Sequence, residues 1–87
     1  MIKIDFSKFP LFTGIEKDRK EEVDVRKDIA DRIYTSMGGI AAHDLAYRVY
    51  RSTGPVELSA DDVEILELFA QTNGTPAFQD SLAAILK

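Results

Sequence analysis

Apolar positions in this chain follow two different periods. In the opening stretch "IKIDF", apolar residues at positions 2, 4 and 6 alternate with charged ones. This two-residue period predicts a short, half-buried strand at the start of the chain. From Val25 onward the period lengthens to three or four residues, which predicts helices that pack by one face.

Residues 7–22 fit neither period. Pro10 and Gly14 interrupt the segment, as is typical of turns. Four of its side chains are too apolar to be left in water: Phe9, Leu11, Phe12 and Ile15. We therefore expect either a second strand or an irregular arm across the core, with "EKDRKEE" as its solvated loop. Just beyond, Asp24 indicates either a short strand paired with residues 2–6 or a helix cap.

Two amphipathic segments predict the first two helices. The first has apolar residues every four positions from Val25 to Met37. "SMGG" ends it, because glycine disfavours helix and permits the left-handed backbone that closes a helix end. The second runs from about Ile40 to Arg51 and ends before "GP". The inward positions expected on these helices are Ile29, Ala30, Ile33 and Tyr34, then Leu45, Ala46, Val49 and Tyr50.

The stretch "GPVELSADDVEIL" joins the second helix to a third. "VEL" predicts a short extended piece with Val56 and Leu58 inward. Ser59 takes the position of a helix cap, where its hydroxyl can accept the backbone amide of Asp62. Asp61 and Asp62 then lie in the first turn, where the helix dipole favours negative charge.

A fourth helix and the fold class complete the prediction. Thr75 and Pro76 form the cap and first-turn pair of this helix, and its expected inward residues are Phe78, Leu82, Ile85 and Leu86. The expected class is α+β, mainly α. A short amino-terminal β element precedes about four packed helices in a single domain over residues 1–87.

Composition narrows the class of protein. The 87 residues are 45% hydrophobic and 30% charged, with a net charge of -4, which is typical of a globular protein rather than a disordered one. The absence of cysteine excludes disulfides, thiolate zinc sites and cysteine nucleophiles, and favours a reducing compartment. We find no signal peptide or membrane span and expect a cytoplasmic protein without membrane contact. Residues 52–86 hold six acids and no base, so nucleic acid is disfavoured as a partner.

The motifs that could carry chemistry are better explained as structure. An acidic cluster has neither the mid-loop glycine nor the spacing of a calcium loop; its members are Glu57, Asp61, Asp62 and Glu64. The sole histidine, His43, has no nucleophile elbow near it. The glycines of "SMGGI" and "TNGTP" lack the lysine of a phosphate loop. We therefore expect no catalytic residue, metal, cofactor or small-molecule substrate.

Two helices joined by "SMGG" also raise the possibility of a helix-turn-helix. The cations of the second helix, Arg48 and Arg51, lie at its far end. A reader helix normally contacts bases from its amino-terminal part. A DNA-binding role is therefore the less favoured interpretation.

The ordered motifs "IDFSKFP", "DVRKDIADRIY", "IAAHDLAYRVY", "GPVELSADDVEIL" and "TPAFQDSL" together resemble small proteins that tailed phages and prophages encode near their head and tail genes. The matched positions are helix punctuation and core residues, and residues 9–22 depart from the pattern. The resemblance implies a phage or prophage origin and an accessory role in virion assembly. It carries over no active residue.

We therefore expect a non-enzymatic protein that binds another protein, or a second copy of itself, in the cytoplasm of a bacterial host. The candidate contact residues are apolar side chains that a small core does not cover: Phe9, Leu11, Phe12 and Tyr34. Two alternatives stay open. One is a small transcriptional regulator, and the other is an acidic inhibitor of a DNA-binding protein, in which the acids form a continuous stripe.

Overall fold

Four short strands and four α-helices make up the fold in the computed structural model, which describes residues 2–86. The strands are β1 Ile2–Ile4, β2 Phe9–Phe12, β3 Lys20–Val23 and β4 Val56–Leu58. The helices are α1 Arg26–Ser36, α2 Ile40–Arg51, α3 Ala60–Asn73 and α4 Pro76–Leu86. This order confirms the predicted α+β class with mainly helix. None of the helices in this part of the chain is long and apolar enough to cross a membrane.

The strands form two separate antiparallel pairs. β1 pairs with β4, so that Ile2 lies opposite Leu58 and Ile4 opposite Val56. β2 pairs with β3 as a hairpin, which confirms the strand alternative for part of residues 7–22. The alternative strand pairing of the Asp24 region with residues 2–6 is wrong, because β3 pairs with β2; the two regions share a backbone hydrogen bond, from the Val25 N–H to the Phe6 carbonyl at 2.8 Å. For the cap alternative, the Asp24 carboxylate accepts the backbone N–H of Arg26 at 3.1 Å, but the residue at the N-cap of α1 is Val25, which has no side-chain cap hydrogen bond.

Stacked aromatic rings and a hydrogen bond join the β2–β3 hairpin to α4. The ring of Phe9 lies between those of Phe6 and Phe78, with centroid distances of 6.1 and 5.2 Å. The backbone N–H of Phe12 donates a hydrogen bond to the Ser81 hydroxyl on α4 at 2.9 Å. Burial of the hairpin base therefore depends on contacts with residues about seventy positions later in the chain.

The tip of the hairpin departs from the sequence-based expectation. Ile15 was expected to leave water, but its side chain is 96% exposed. The turn closes through a hydrogen bond from the Thr13 N–H to the Arg19 carbonyl, which carries the intervening residues away from the core. The prediction for Ile15 is therefore wrong, although Phe9, Leu11 and Phe12 are buried or half-buried as expected.

Helices α1 and α2 pack antiparallel across a short turn and confirm the predicted boundaries closely. Their buried residues are Ile29, Ala30 and Ile33 on α1, and Ala42, Leu45, Ala46 and Val49 on α2. Tyr34 and Tyr50 were expected inward, but they are 57% and 54% exposed. Each lies one residue past a buried position, a rotation of about 100° around its helix axis, which carries the ring to the edge of the buried face.

The turn between these helices requires one glycine and not the other. α1 ends with Met37 in an extended conformation, so no left-handed residue closes it, contrary to the expectation. The positive φ occurs instead at Gly39, with φ 99° and ψ 155°, directly before α2. Residues with a side chain almost never adopt this backbone conformation.

Replacement of the two glycines separates backbone strain from loss of flexibility. We expect Gly39→Ala to lower the free energy of unfolding by about 1–3 kcal/mol, because alanine is strained at that φ. Gly38→Ala is the matched control, since its φ is not positive and a Cβ there meets no atom within 4 Å. Urea denaturation of both variants measures the difference. Equal stabilities would contradict the assigned backbone conformation.

Candidate functional site

The helical hairpin of α1 and α2 exposes a set of aromatic side chains on one face. We call Tyr34, His43, Tyr47 and Tyr50 the aromatic face. Tyr34 projects from α1, whereas the other three are spaced four and three residues apart on α2 and so lie on one side of that helix. The three tyrosines are 57%, 40% and 54% exposed, so large apolar rings remain available at the surface.

Three rings of the aromatic face, those of Tyr34, His43 and Tyr47, hold one another in place. The centroid of the His43 ring lies 5.4 Å from that of Tyr34 and 4.8 Å from that of Tyr47. Tyr34 and Tyr47 meet edge to face, with 6.3 Å between centroids and 75° between planes. Such pairs contribute about 0.5–1.5 kcal/mol beyond the area they bury. The rings are therefore partly ordered before any ligand arrives, which reduces the entropy lost on binding.

A shallow groove of about 160 Å³ runs beside these rings. Two buried alanines form its floor, because their small side chains let the helices approach closely. The groove is lined by Ala30, Asp31, Tyr34, Ala46, Tyr47 and Tyr50, and we call it the tyrosine groove. Its walls are three phenol rings and one carboxylate, so it is apolar below and polar at the rim.

Two cations of the chain lie at the rim. Lys27 Nζ is 2.7 Å from the Asp31 carboxylate, and both side chains are well exposed. The hydrogen bond to Asp31 raises the pKa of Lys27, and Tyr50 adds a smaller contribution in the same direction. The Arg51 guanidinium lies 5.1 Å from the centroid of the Tyr47 ring. The groove thus joins aromatic surface to charges of both signs.

The structure does not bring the four predicted contact residues together. Phe9 is fully buried in the core and leaves the candidate set, because a partner could reach it only if the hairpin unfolded. Leu11 and Phe12 are half-buried on β2, where Lys20 lies 5.0 Å above the Phe12 ring. Tyr34 is exposed, but on a different element.

Sequence reasoning missed Tyr47 and Tyr50 as surface residues. The available signal was their spacing with His43 along "HDLAYRVY", which places all three side chains on one edge of α2. The sequence predicted only a structural role for His43. Its ring packs against those of Tyr34 and Tyr47. Because Tyr34 lies on α1, the residues next to His43 in sequence do not predict this contact.

The acidic stretch before α3 is a structural junction. The Ser59 hydroxyl accepts the N–H of Asp62, and the Asp62 carboxylate accepts the N–H of Ser59, at 3.1 and 3.0 Å. This confirms the predicted cap and adds the reciprocal bond of a capping box. Asp62 also binds Arg48 Nη2 at 2.7 Å, and Arg48 Nε reaches Asp44. Asp62 is therefore buried and paired, which its position in the first turn alone did not predict.

The electrostatics of this junction favour the charged form of Asp62. Burial raises its pKa, but the hydrogen bonds from Arg48 and Ser59 outweigh burial, and the net effect is a lowered pKa. The other three acids of the stretch are exposed: Glu57, Asp61 and Glu64. Within residues 2–86, no group of three or more histidine, aspartate or glutamate side chains is arranged to hold a metal ion.

No family model, curated protein or solved structure matches this chain. The nature of the site is therefore argued from its residues. Exposed tyrosines with an arginine beside them have the composition of the centre of a protein–protein interface, where aromatic residues and arginine are enriched. The aromatic face combines such exposed rings, ordered by mutual contact, with a groove.

The junction around Asp62 provides a stability test. We expect Asp62→Asn to lower the free energy of unfolding by about 1–2 kcal/mol, because it weakens the charge-assisted bond to the partly solvated Arg48. Asp61→Asn is the matched control, since Asp61 lies next to it in the same helical turn but is exposed. Urea denaturation at neutral pH compares the two. Equal losses in both variants would show that the helix dipole, not the Arg48 pair, sets the effect.

The same pair predicts a pH dependence with a defined sign. Because the folded-state pKa of Asp62 lies below its ordinary value of 3.8, its contribution is fully present above about pH 4 and is lost as pH falls through the folded pKa. The stability gap between wild type and Asp62→Asn should therefore narrow below about pH 4. The hydrogen bond from Arg26 lowers the pKa of Asp24 to about 2. Asp24 is present in both proteins, so its contribution does not change the stability difference between them. A gap that widens in acid would contradict this assignment.

Proposed function

We propose that this protein binds another protein through the aromatic face and acts by binding rather than by catalysis. The observation that supports this most directly is the cluster of exposed rings on α1 and α2. Three tyrosines at 40–57% exposure leave apolar surface in water, and removal of such surface from water drives association. The ring contacts through His43 add the rigidity that makes association less costly.

The position of the aromatic face fits a binding role better than a structural one. The core under it is completed by small and aliphatic residues, so the rings are not needed to fill space. Ala30, Ala46 and Val49 are buried beneath them. Tyrosine is suited to this position because it offers a large apolar surface with few rotatable bonds and a hydroxyl that tolerates water.

The setting of the interaction is also a proposal. The resemblance to small phage and prophage proteins supports a partner among proteins of virion assembly, inside a bacterial host. This part of the proposal depends on the sequence motifs alone. The aromatic face would serve equally in any other setting where a partner offers a complementary surface.

One observation favours a second candidate, an acidic inhibitor of a DNA-binding protein. Asp61, Glu64 and Glu67 project from α3, and no ion pair holds them among the residues described. Three carboxylates make a short stripe, whereas residues 1–51 mix acids with bases. Substitution of these three acidic residues by lysine should abolish inhibition of a DNA-binding partner but leave binding through the aromatic face intact.

The proposed function predicts that binding depends on Tyr47 and not on other exposed apolar residues. Wild type would be used to capture a partner from lysate, and the identified partner would be purified. We expect Tyr47→Ala to weaken the measured Kd about 30-fold or more, the effect of a loss of roughly 2 kcal/mol at an interface centre. Leu68→Ala is the matched control, because Leu68 is 52% exposed but lies on α3.

Calorimetric titration with the purified partner measures both variants, and circular dichroism confirms that each folds. Tyr50→Ala serves as an independent second test of the same surface. A partner that binds Tyr47→Ala and Tyr50→Ala as tightly as wild type would place the interface elsewhere and contradict the proposal. Light scattering of the protein alone separates binding of a partner from association with a second copy.

A further inference from the structure

We propose that the tyrosine groove receives an arginine side chain of the protein partner. This inference is based on the proposed function and specifies the chemistry of the partner at one point. The guanidinium would stack on the tyrosine rings and pair with the Asp31 carboxylate. Its methylene stem would lie over the floor formed by Ala30 and Ala46.

The walls of the groove have the electrostatic character that a cation requires. The face of an aromatic ring carries partial negative charge, and several rings beside a carboxylate attract a cation strongly. Tyr34, Tyr47 and Tyr50 line the groove together with Asp31. A purely apolar side chain would make neither the ring–cation contact nor the pair with Asp31.

The chain itself already makes both contacts separately. The Arg51 guanidinium lies 5.1 Å from the centroid of the Tyr47 ring, which shows that this ring accepts a guanidinium. Lys27 pairs with Asp31, but their side chains are 78% and 58% exposed. Such an exposed pair contributes little to stability, so a ligand can displace the lysine at little cost.

Arginine fits this site better than lysine for geometric reasons. A planar guanidinium can donate two parallel hydrogen bonds to one carboxylate and still stack on a ring. An ammonium is a strongly hydrated point charge and offers neither feature. Lys27 therefore pairs with the Asp31 carboxylate in the free protein and competes only weakly with an incoming arginine.

The size of the groove also selects a single side chain. Its volume of about 160 Å³ is below the roughly 300–1,000 Å³ of sites that enclose a small molecule. The alanine floor is apolar, which suits the methylene stem of a long cationic side chain. A partner residue that enters from above would fill the groove while the rest of the partner covers the aromatic face.

The test uses a capped tripeptide, acetyl-Gly-Arg-Gly-amide, and the same peptide with citrulline, a neutral side chain of nearly the same shape. Both are titrated into the full chain and followed by NMR. We expect the arginine peptide to shift the ring signals of Tyr34, Tyr47 and Tyr50 in a saturable manner. The citrulline peptide should bind at least about threefold more weakly, because it lacks the charge.

Variants of α1 then isolate the carboxylate. Asp31→Asn should weaken the arginine peptide about three- to tenfold. Asp28→Asn is the matched control, since Asp28 makes the same kind of pair with Arg32 on the same helix but does not line the groove, and it should leave the Kd unchanged. Lys27→Ala should tighten binding about twofold, because it removes the competing pair.

Three results would overturn the inference. The first is equal affinity for the arginine and citrulline peptides, and the second is equal weakening of arginine-peptide binding by Asp31→Asn and Asp28→Asn. The third is a shift of the tyrosine ring signals with protein concentration in the absence of peptide, which would mean that a second copy fills the groove. The outcome is distinguishable from that of the proposed function. If a partner binds Tyr47→Ala more weakly but the groove shows no preference for arginine, only this inference is rejected. If the groove prefers the arginine peptide but no partner depends on Tyr47, only the proposed function is rejected.

Discussion

The close packing of α1 against α2 is the contact on which the candidate site depends. Ala30 and Ala46 are almost fully buried in this helical hairpin, and their small side chains let the two helices approach closely. The tyrosines nearest to them are therefore placed at the surface, where they meet one another instead of the core. A single packing constraint thus explains the tight helical hairpin, the shallow groove and the exposed aromatic residues together.

Contacts between residues that are distant in sequence hold the hairpin of α1 and α2 against the rest of the fold. β1 reaches β4 across more than fifty residues, and Phe9 of the β-hairpin reaches Phe78 of α4. Arg48 extends from α2 to the start of α3, where it binds Asp62 inside the capping box. The amino-terminal segment and the last helix therefore brace the same core that supports the aromatic face.

Local signals in the sequence predicted most of the fold. The bounds of α2, the Ser59 cap and the Thr75 cap follow from residues within one turn of each feature, and the structure confirms them. Long-range partners could not be predicted in this way. The pairing of β1 with β4 had several competitors, and the burial of Asp62 depends on an arginine fourteen positions earlier. The exposure of Tyr50 depends on which neighbouring positions the facing helix covers.

The separation of the aromatic face from the core has an evolutionary consequence. Replacement of a ring that fills no interior volume leaves the folded state largely intact, so selection can change these positions at little risk to stability. Ala30 and Ala46 are under the opposite constraint, because a larger side chain at either position would fill the groove or separate the helices. We expect related chains to keep the small residues of the hairpin while their surface rings diversify, so that one backbone could acquire new partners through a few substitutions.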